Sequence, residues 1–419
     1  MNEVNNIPEG WVETTLEEVV ESANTGLDAI KRAPIVEEET GLKCFRIQDA
    51  SQKKEFTNWG NTLVENKNYN KFKLIEGDIL IARTGNTIGV HYLVKQNLKS
   101  VFNNGLIRLR ANRKIDYKFL YKIIESGSFE RFIQSIAYGT STQPNMQINV
   151  LLSFKISLPP LPEQKSIAAI LTSFDDKIEL LQAQNKTLEE LAQTVFKEWF
   201  GKYKVGDELP EGWRIGKLGE VANLKSGFAF KAEDFIDESN FKAIKIKDLK
   251  GNGNISLSDI SAITEEITKL DRVQYFKLDE GDILLAMSGN TTGKIGVLPS
   301  SENEIYLNQR VGKFFMKEKK YNSFLYNFLM SGSFEEKILA MGYGSAQPNI
   351  NPSQIENIDI IYPDETKIND YLKISKPIFE KVLQNNTQIQ TLTKTRDELL
   401  PKLMSGEIRV KKQFFENFE

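Results

Sequence analysis

The chain has 419 residues, 40% of them hydrophobic and 26% charged, with a net charge of −3, one cysteine and one histidine. That balance fits an ordinary globular chain of about two to four domains and excludes the usual zinc sets, which need several His and Cys ligands. No apolar run approaches the ~20 residues of a membrane span. The N-terminus lacks the basic start and apolar stretch of a signal peptide, and a lone Cys44 fits a reducing cytoplasm.

In chain order, Ile7-Pro8-Glu9-Gly10-Trp11 opens the sequence, and an acidic run, Glu37-Glu38-Glu39, follows. From Lys71 to Ile115 the bases Lys71, Lys73, Arg83, Lys95, Lys99, Arg108, Arg110, Arg113 and Lys114 face only Glu76 and Asp78. Charge is therefore segregated, which permits a nucleic-acid partner despite the mild overall acidity. Gly77-Asp78-Ile79-Leu80-Ile81-Ala82 reads as a turn and a short strand, and Leu106-Ile107-Arg108-Leu109-Arg110 alternates like another. Apolar residues at helical spacing run from Tyr117 to Ile136, with Gly127 interrupting them, and Ser157 to Pro162 breaks structure. A helix without Pro or Gly then runs from Glu163 to Phe200.

The same order returns about 204 residues later. Leu209-Pro210-Glu211-Gly212-Trp213 repeats the opening, and Phe276 to Leu284 repeats Phe72 to Leu80. Ser288-Gly289-Asn290-Thr291 repeats Thr84-Gly85-Asn86-Thr87, and Ser331 to Glu335 repeats Ser126 to Glu130. Two copies this long imply duplication of a whole domain with its connector rather than a solenoid. The expected fold is α+β: a strand-rich module over 1–160, a helix over 161–203, a second module over 204–363 and a second helix over 364–412. The copies differ most in 27–70 against 228–274, as expected of modules that face different targets.

Along the first helix Ile178, Leu181, Asn185, Leu188, Ala192, Val195 and Trp199 step by fours and threes; along the second Val382, Asn385, Ile389, Leu392, Arg396, Leu399 and Leu403 do so. That spacing of 3.5 residues predicts an antiparallel coiled-coil pair with pseudo-two-fold symmetry, in which one buried Asn per helix fixes register. At 1.5 Å per residue the helix spans roughly 55 Å, a ruler between two reading heads. The alternative is that each helix packs only on its own domain.

Gly289-Asn290-Thr291-Thr292-Gly293-Lys294 imitates a phosphate-binding loop but is one residue short and has Ile295 where a hydroxyl is needed. Pro363-Asp364-Glu365-Thr366-Lys367 has the letters of a nuclease metal site, yet its carboxylates stand together at a helix entrance, where a cap is expected. The polar loops that recur are better candidates. Asn and Gln can bond adenine, Arg can bond guanine, and Ser and Thr suit phosphates. The candidates for DNA contact in the recurring loops are Arg83, Thr84, Asn86, Thr87, Asn104, Thr140, Ser141, Gln143 and Asn145 in the first copy. In the second they are Ser288, Asn290, Thr291, Lys294, Gln309, Arg310, Ser345, Gln347 and Asn349. Such residues equally suit turns that hold a module together. The divergent Lys31, Arg32, Lys43, Arg46 and Gln48, against Lys225, Lys245 and Lys247, are better placed to read bases.

The Pro-Glu-Gly-Trp start, the Glu-Gly-Asp-Ile-Leu strand and the Gly-Asn-Thr loop precede Pro159-Pro160-Leu161-Pro162-Glu163-Gln164, and the whole is repeated. The second helix ends in Leu399-Leu400-Pro401-Lys402-Leu403-Met404-Ser405-Gly406-Glu407-Ile408. Over essentially its full length the chain resembles the specificity subunits of type I restriction–modification systems. The resemblance implies two target recognition domains, each reading half of an asymmetric bipartite site in double-stranded DNA. It implies helices that dock two modification subunits, which use S-adenosylmethionine to methylate adenine at N6. Two motor-nuclease subunits, with ATP and Mg, would join them. This chain itself would hold no cofactor, no metal and no catalytic residue. A duplicated protein-binding scaffold that ignores DNA is the alternative, and an enzyme in its own right a further one.

Overall fold

The computed structural model describes residues 7–52, 54–138, 145–342 and 350–410. The chain divides into two compact units, one holding the residues up to Asp176 together with those from Thr395 on, the other Lys177–Lys394. Both cuts fall inside the long helices, Leu161–Phe200 and Glu365–Ser405. No helix among the described residues is long and apolar enough to cross a membrane.

Each unit carries one copy of the duplicated module, built on the same frame. In the first, a four-stranded antiparallel sheet runs Val20–Thr25, Leu106–Ala111, Ile79–Ala82, His91–Leu93. In the second, Ala222–Ser226, Val311–Met316, Ile283–Ala286 and Ile295–Val297 take the same order. All four residues of Ile79–Ala82, and all four of Ile283–Ala286, are buried. A strand covered on both faces reads as a continuous apolar run rather than an alternation.

The divergent segments contribute most of the strands of a second sheet, and here the modules differ. The first has four strands, Ile35–Val36, Gly60–Thr62, Lys43–Phe45 and Ser100–Phe102. The second has five, Phe235–Ile236, Ser261–Ile263, Phe241–Ile244, Glu304–Leu307 and Lys277–Leu278. A separate hairpin, Leu249–Gly251 with Asn254–Ile255, occurs in the second module.

The repeated Pro-Glu-Gly-Trp motif has a direct role at the helix entrances. Trp11 Nε1 donates to Glu163 Oε2 at 3.1 Å, and Trp213 Nε1 donates to Asp364 Oδ2 at 3.1 Å. The first strand of each module pairs with the strand leading into its helix: Val12–Thr15 with Lys155–Leu158, Arg214–Lys217 with Asp359–Tyr362. Gln164 is buried and ties Pro159 O at 2.8 Å and the Asp116 N–H at 2.9 Å, which accounts for the full Pro-Pro-Leu-Pro-Glu-Gln run of the first copy. The expected break over Ser157 to Pro162 is narrower than the sequence suggested. Strand persists to Leu158 and helix begins at Leu161, because proline is compatible with a helix's first turn.

Within each unit the two long helices run antiparallel. In the unit of the second module Asn185 Nδ2 donates to Asn386 Oδ1 at 2.7 Å and Asn385 Nδ2 donates to Asn185 Oδ1 at 2.8 Å, while nearer the ends Phe200 meets Tyr371 at 4.9 Å between rings. In the unit of the first module Arg396 bonds Asp175 at 2.8 Å, and Arg409 closes on Glu163 at 2.7 Å. The stripe expected from the sequence needs a correction toward the first helix's C-terminus. Val195 and Trp199 are half-buried, and the neighbouring Phe196 and Phe200 take the core positions. Nor are the helices partnered by each other alone. Ile167, Ala168 and Leu171, with Leu403 of the second helix, complete the first module's core, and Phe196, Phe200, Tyr371 and Phe379 belong to the second module's. Ile178, Leu181 and Val382 are buried, whereas Leu188, Ile389, Leu392 and Leu399 are half-buried.

Candidate nucleic-acid interface

The strand Ile79–Ala82 ends in a polar loop, and backbone bonds gather other loops around it. Arg83 N donates to Gly105 O at 3.0 Å and Met146 N to Arg83 O at 2.8 Å. Asn104 N donates to Leu27 O at 2.9 Å and Asn103 N to Phe45 O at 3.0 Å. These bonds join the segments that carry Arg83 to Thr87, Asn104, Asn145, Lys31 and Arg32, and Arg46 with Gln48.

The second module repeats the arrangement. Met287 N donates to Arg310 O at 3.1 Å, Ile350 N to Met287 O at 2.8 Å, Gln309 N to Phe228 O at 2.9 Å and Asn308 N to Ile244 O at 3.2 Å. Ser288 to Thr291, Gln309, Arg310 and Lys245 thereby come together. A glycine makes the closest approach possible in each module. A Cβ on Gly26 would lie 2.1 Å from Phe102 O, and one on Gly227 2.2 Å from Leu307 O, so no side chain fits. The signal was present as Thr25-Gly26-Leu27 against Ser226-Gly227-Phe228, a repeat too short to stand out.

The sequence matches the family model described as the type I restriction modification DNA specificity domain twice, over residues 8–190 and 210–398. The chain belongs to this family. A specificity subunit of the type I restriction enzyme MjaVIII of Methanocaldococcus jannaschii is 31% identical over 352 residues, covering 80% of each chain. The HindI specificity subunit of Haemophilus influenzae is 26% identical over 402 residues, 80% of this chain and 87% of that protein. The crystal structure of a type I S subunit from M. genitalium superposes with a TM-score of 0.60 at 20% identity, over 96% of this chain and 98% of that one.

In this specificity-family chain Asn145 and Thr87, which recur in the second copy, are bonded within the loops, as is Arg83, whose counterpart is Met287. Arg83 donates to Asn145 Oδ1 through Nε at 3.1 Å and Nη2 at 2.8 Å. Thr87 Oγ1 donates to Thr84 O at 3.3 Å. Ser288 Oγ and Thr291 Oγ1 are buried without a partner. Gly89 and Gly293 have φ near +88° and +87° and abut Ile133 and Ile338, which explains why the supposed phosphate loop has its glycines. Asn86, Asn104, Asn290, Gln309 and Arg310 are exposed, and Lys294 is half-buried. Thr140, Ser141, Gln143, Ser345, Gln347 and Asn349 lie outside the described residues.

Among the divergent candidates, Lys31, Gln48, Lys225 and Lys247 are exposed. Arg32 bonds Asp28 at 2.6 Å, and that bond holds the Asp28 carboxyl down at about 2. Arg46 Nε lies 3.2 Å from the buried Asp49, and Lys43 Nζ donates to Asn61 Oδ1 at 2.8 Å. Lys245 sits 3.6 Å from the Phe235 ring, where burial and then Lys247 lower its pKa. Lys225 lies over Tyr275 and Phe315, whose rings stack at 5.6 Å. Asp364 stands at the helix entrance as a cap: Oδ1 accepts from Lys367 N at 2.9 Å, which lowers its carboxyl pKa.

Proposed function

We propose that this chain is the DNA-specificity subunit of a type I restriction–modification complex, working in the cytoplasm without a catalytic site of its own. Each module engages one half of an asymmetric bipartite site, and the helices dock two modification subunits. Those subunits hold S-adenosylmethionine and methylate adenine at N6; motor-nuclease subunits, with ATP and Mg, cut unmodified DNA. One observation carries this reading. The same loop cluster is built twice, and in each copy the divergent segment, 27–70 or 228–274, lies against it. A protein-only scaffold gives no reason for exposed Asn, Gln, Arg and Lys to gather at both clusters, where side chains of this kind read base edges and phosphates.

The test is to co-express the chain with the modification subunit encoded beside it and to map N6-methyladenine across the host genome. The expected result is one motif of two short defined halves around a fixed gap. Methylation that is absent, or that persists without this chain, would leave the scaffold reading instead. Purified alone, the chain should transfer no methyl group.

A further inference from the structure

Ile30 is 85% exposed, more than any other large hydrophobic residue among those described. An exposed apolar side chain needs no explanation when it lies on a mobile surface, but this one is presented by a fastened loop. Leu27 and Ala33, at either end, are fully buried. Between them Asp28 accepts from the Lys31 N–H at 2.8 Å and from Arg32 Nε at 2.6 Å, and its backbone carbonyl accepts from Ala33 N at 2.9 Å. The loop therefore turns on Asp28 and carries Ala29 and Ile30 at its tip, with the exposed Lys31 and Arg32 beside them. Leu27 O is bonded to Asn104 N, so the tip belongs to the polar loop cluster of the first module. The second module has no equivalent: after Phe228 comes Ala229-Phe230-Lys231, and Phe230 is buried.

We propose that Ile30 is a specificity-determining residue that contacts the C5-methyl group of a thymine in the half-site read by the first module. This rests on the DNA-reading function above. The chemistry selects the ligand: an aliphatic tip can distinguish a base edge only through its methyl group, and thymine alone of the four bases has one in the major groove. The flanking cations suit the phosphates on either side. Asn86, Asn104 and Gln48, exposed on the segments bonded together there, are side chains suited to adenine, the base paired with thymine.

The experiment uses the complex of the full chain with its modification subunit and duplexes bearing the mapped motif. Affinity is measured for the wild type and Ile30→Ala with each thymine of the first half replaced in turn by deoxyuridine, which lacks only the methyl. At one position the wild type should lose about fourfold in affinity, the worth of one buried methyl-sized group. Ile30→Ala should lose the same on the natural duplex and nothing more on the deoxyuridine duplex. Because Ile30 is exposed, the variant should fold and co-purify normally, and Ile30→Val should retain most of the preference. Independent losses from the variant and from deoxyuridine, no loss from the variant, or a half-site without thymine would each overturn the assignment while leaving the bipartite motif standing. Loss of the modification subunit from Ile30→Ala would make the tip a protein-docking point instead. If the wild-type complex yields no motif at all, the DNA-reading function itself fails.

Discussion

Asp78 is the acidic residue of the Glu-Gly-Asp-Ile-Leu motif, and its environment explains why that motif recurs. Its side chain is fully buried and accepts from Arg110 at 2.7 and 2.9 Å, from the Ile75 N–H at 3.0 Å, and lies 3.8 Å from the nearly buried Arg108. In the second module Asp282 pairs with Lys313 at 2.5 Å and accepts from the Asp279 N–H, yet burial still raises its pKa. Breaking a buried pair from one side strands its partner's charge, so Asp78→Ala should cost about 3–5 kcal/mol. Thermal or denaturant unfolding checks this; Asp78→Asn, which keeps the size and part of the bonding, should cost less. A second residue gives a pH signature. Burial lifts Glu189, on the first long helix, from 4.5 to about 7, against the opposing effect of the Tyr326 hydroxyl 3.4 Å away. The fold favours its neutral form, so the stabilisation is full below pH 4.5 and is lost as pH rises through about 7. Glu189→Gln, neutral at every pH, should therefore raise the melting temperature over wild type more at pH 8 than at pH 5. An equal change at both would contradict the assignment.

At the scale of elements, the long helices show both the reach and the limit of periodicity. A repeat of 3.5 residues placed Asn185 and Asn385 on the stripe, and in the structure the two meet, with Asn386 completing the cluster. The same rule chose Ala192, Val195 and Trp199, whereas burial continues from Ala192 to Phe196 and Phe200 in steps of four. The physical reason is a change of partner along one helix. A narrow seam against a single helix keeps a 3.5-residue period, but a helix end lying on a module's broad core presents a wider face. The core lies elsewhere in the sequence, so its geometry leaves no local mark. In the Asn cluster Asn385 Oδ1 is buried without a partner, which marks the site as costly even when intact. Asn185→Ala removes its cross-helix bonds to Val382 O, Asn385 and Asn386 and leaves Asn385 and Asn386 without them, at about 1–3 kcal/mol. Chemical denaturation should show the loss, and the adjacent exposed Gln184→Ala should show almost none.

Over the whole molecule, the duplication was the most legible feature, because each copy keeps the residues that build its frame: the tryptophan at the helix entrance, the buried aspartate, the glycines of the polar loop. The site was less legible for the same reason. Asn145 stood out by repetition and is bonded by Arg83, whose counterpart is Met287, whereas Ile30 has no counterpart and follows no period. Under the proposed function, identity between copies marks the common frame and divergence is where target choice should reside. This leads to a prediction for the intact complex. A chain carrying the second module's sequence, 204–363, in place of 1–160 keeps every shared tie to its helix entrance but presents the same divergent surface twice. With its modification subunit it should methylate a site whose two halves are identical and equal to one half of the wild-type motif. Genome-wide mapping of N6-methyladenine reads this directly, and the order of bases in the two halves reports whether they are inverted or direct copies. Retention of the original asymmetric motif by that chimera would mean that target choice resides outside the modules, in the helices or in a partner.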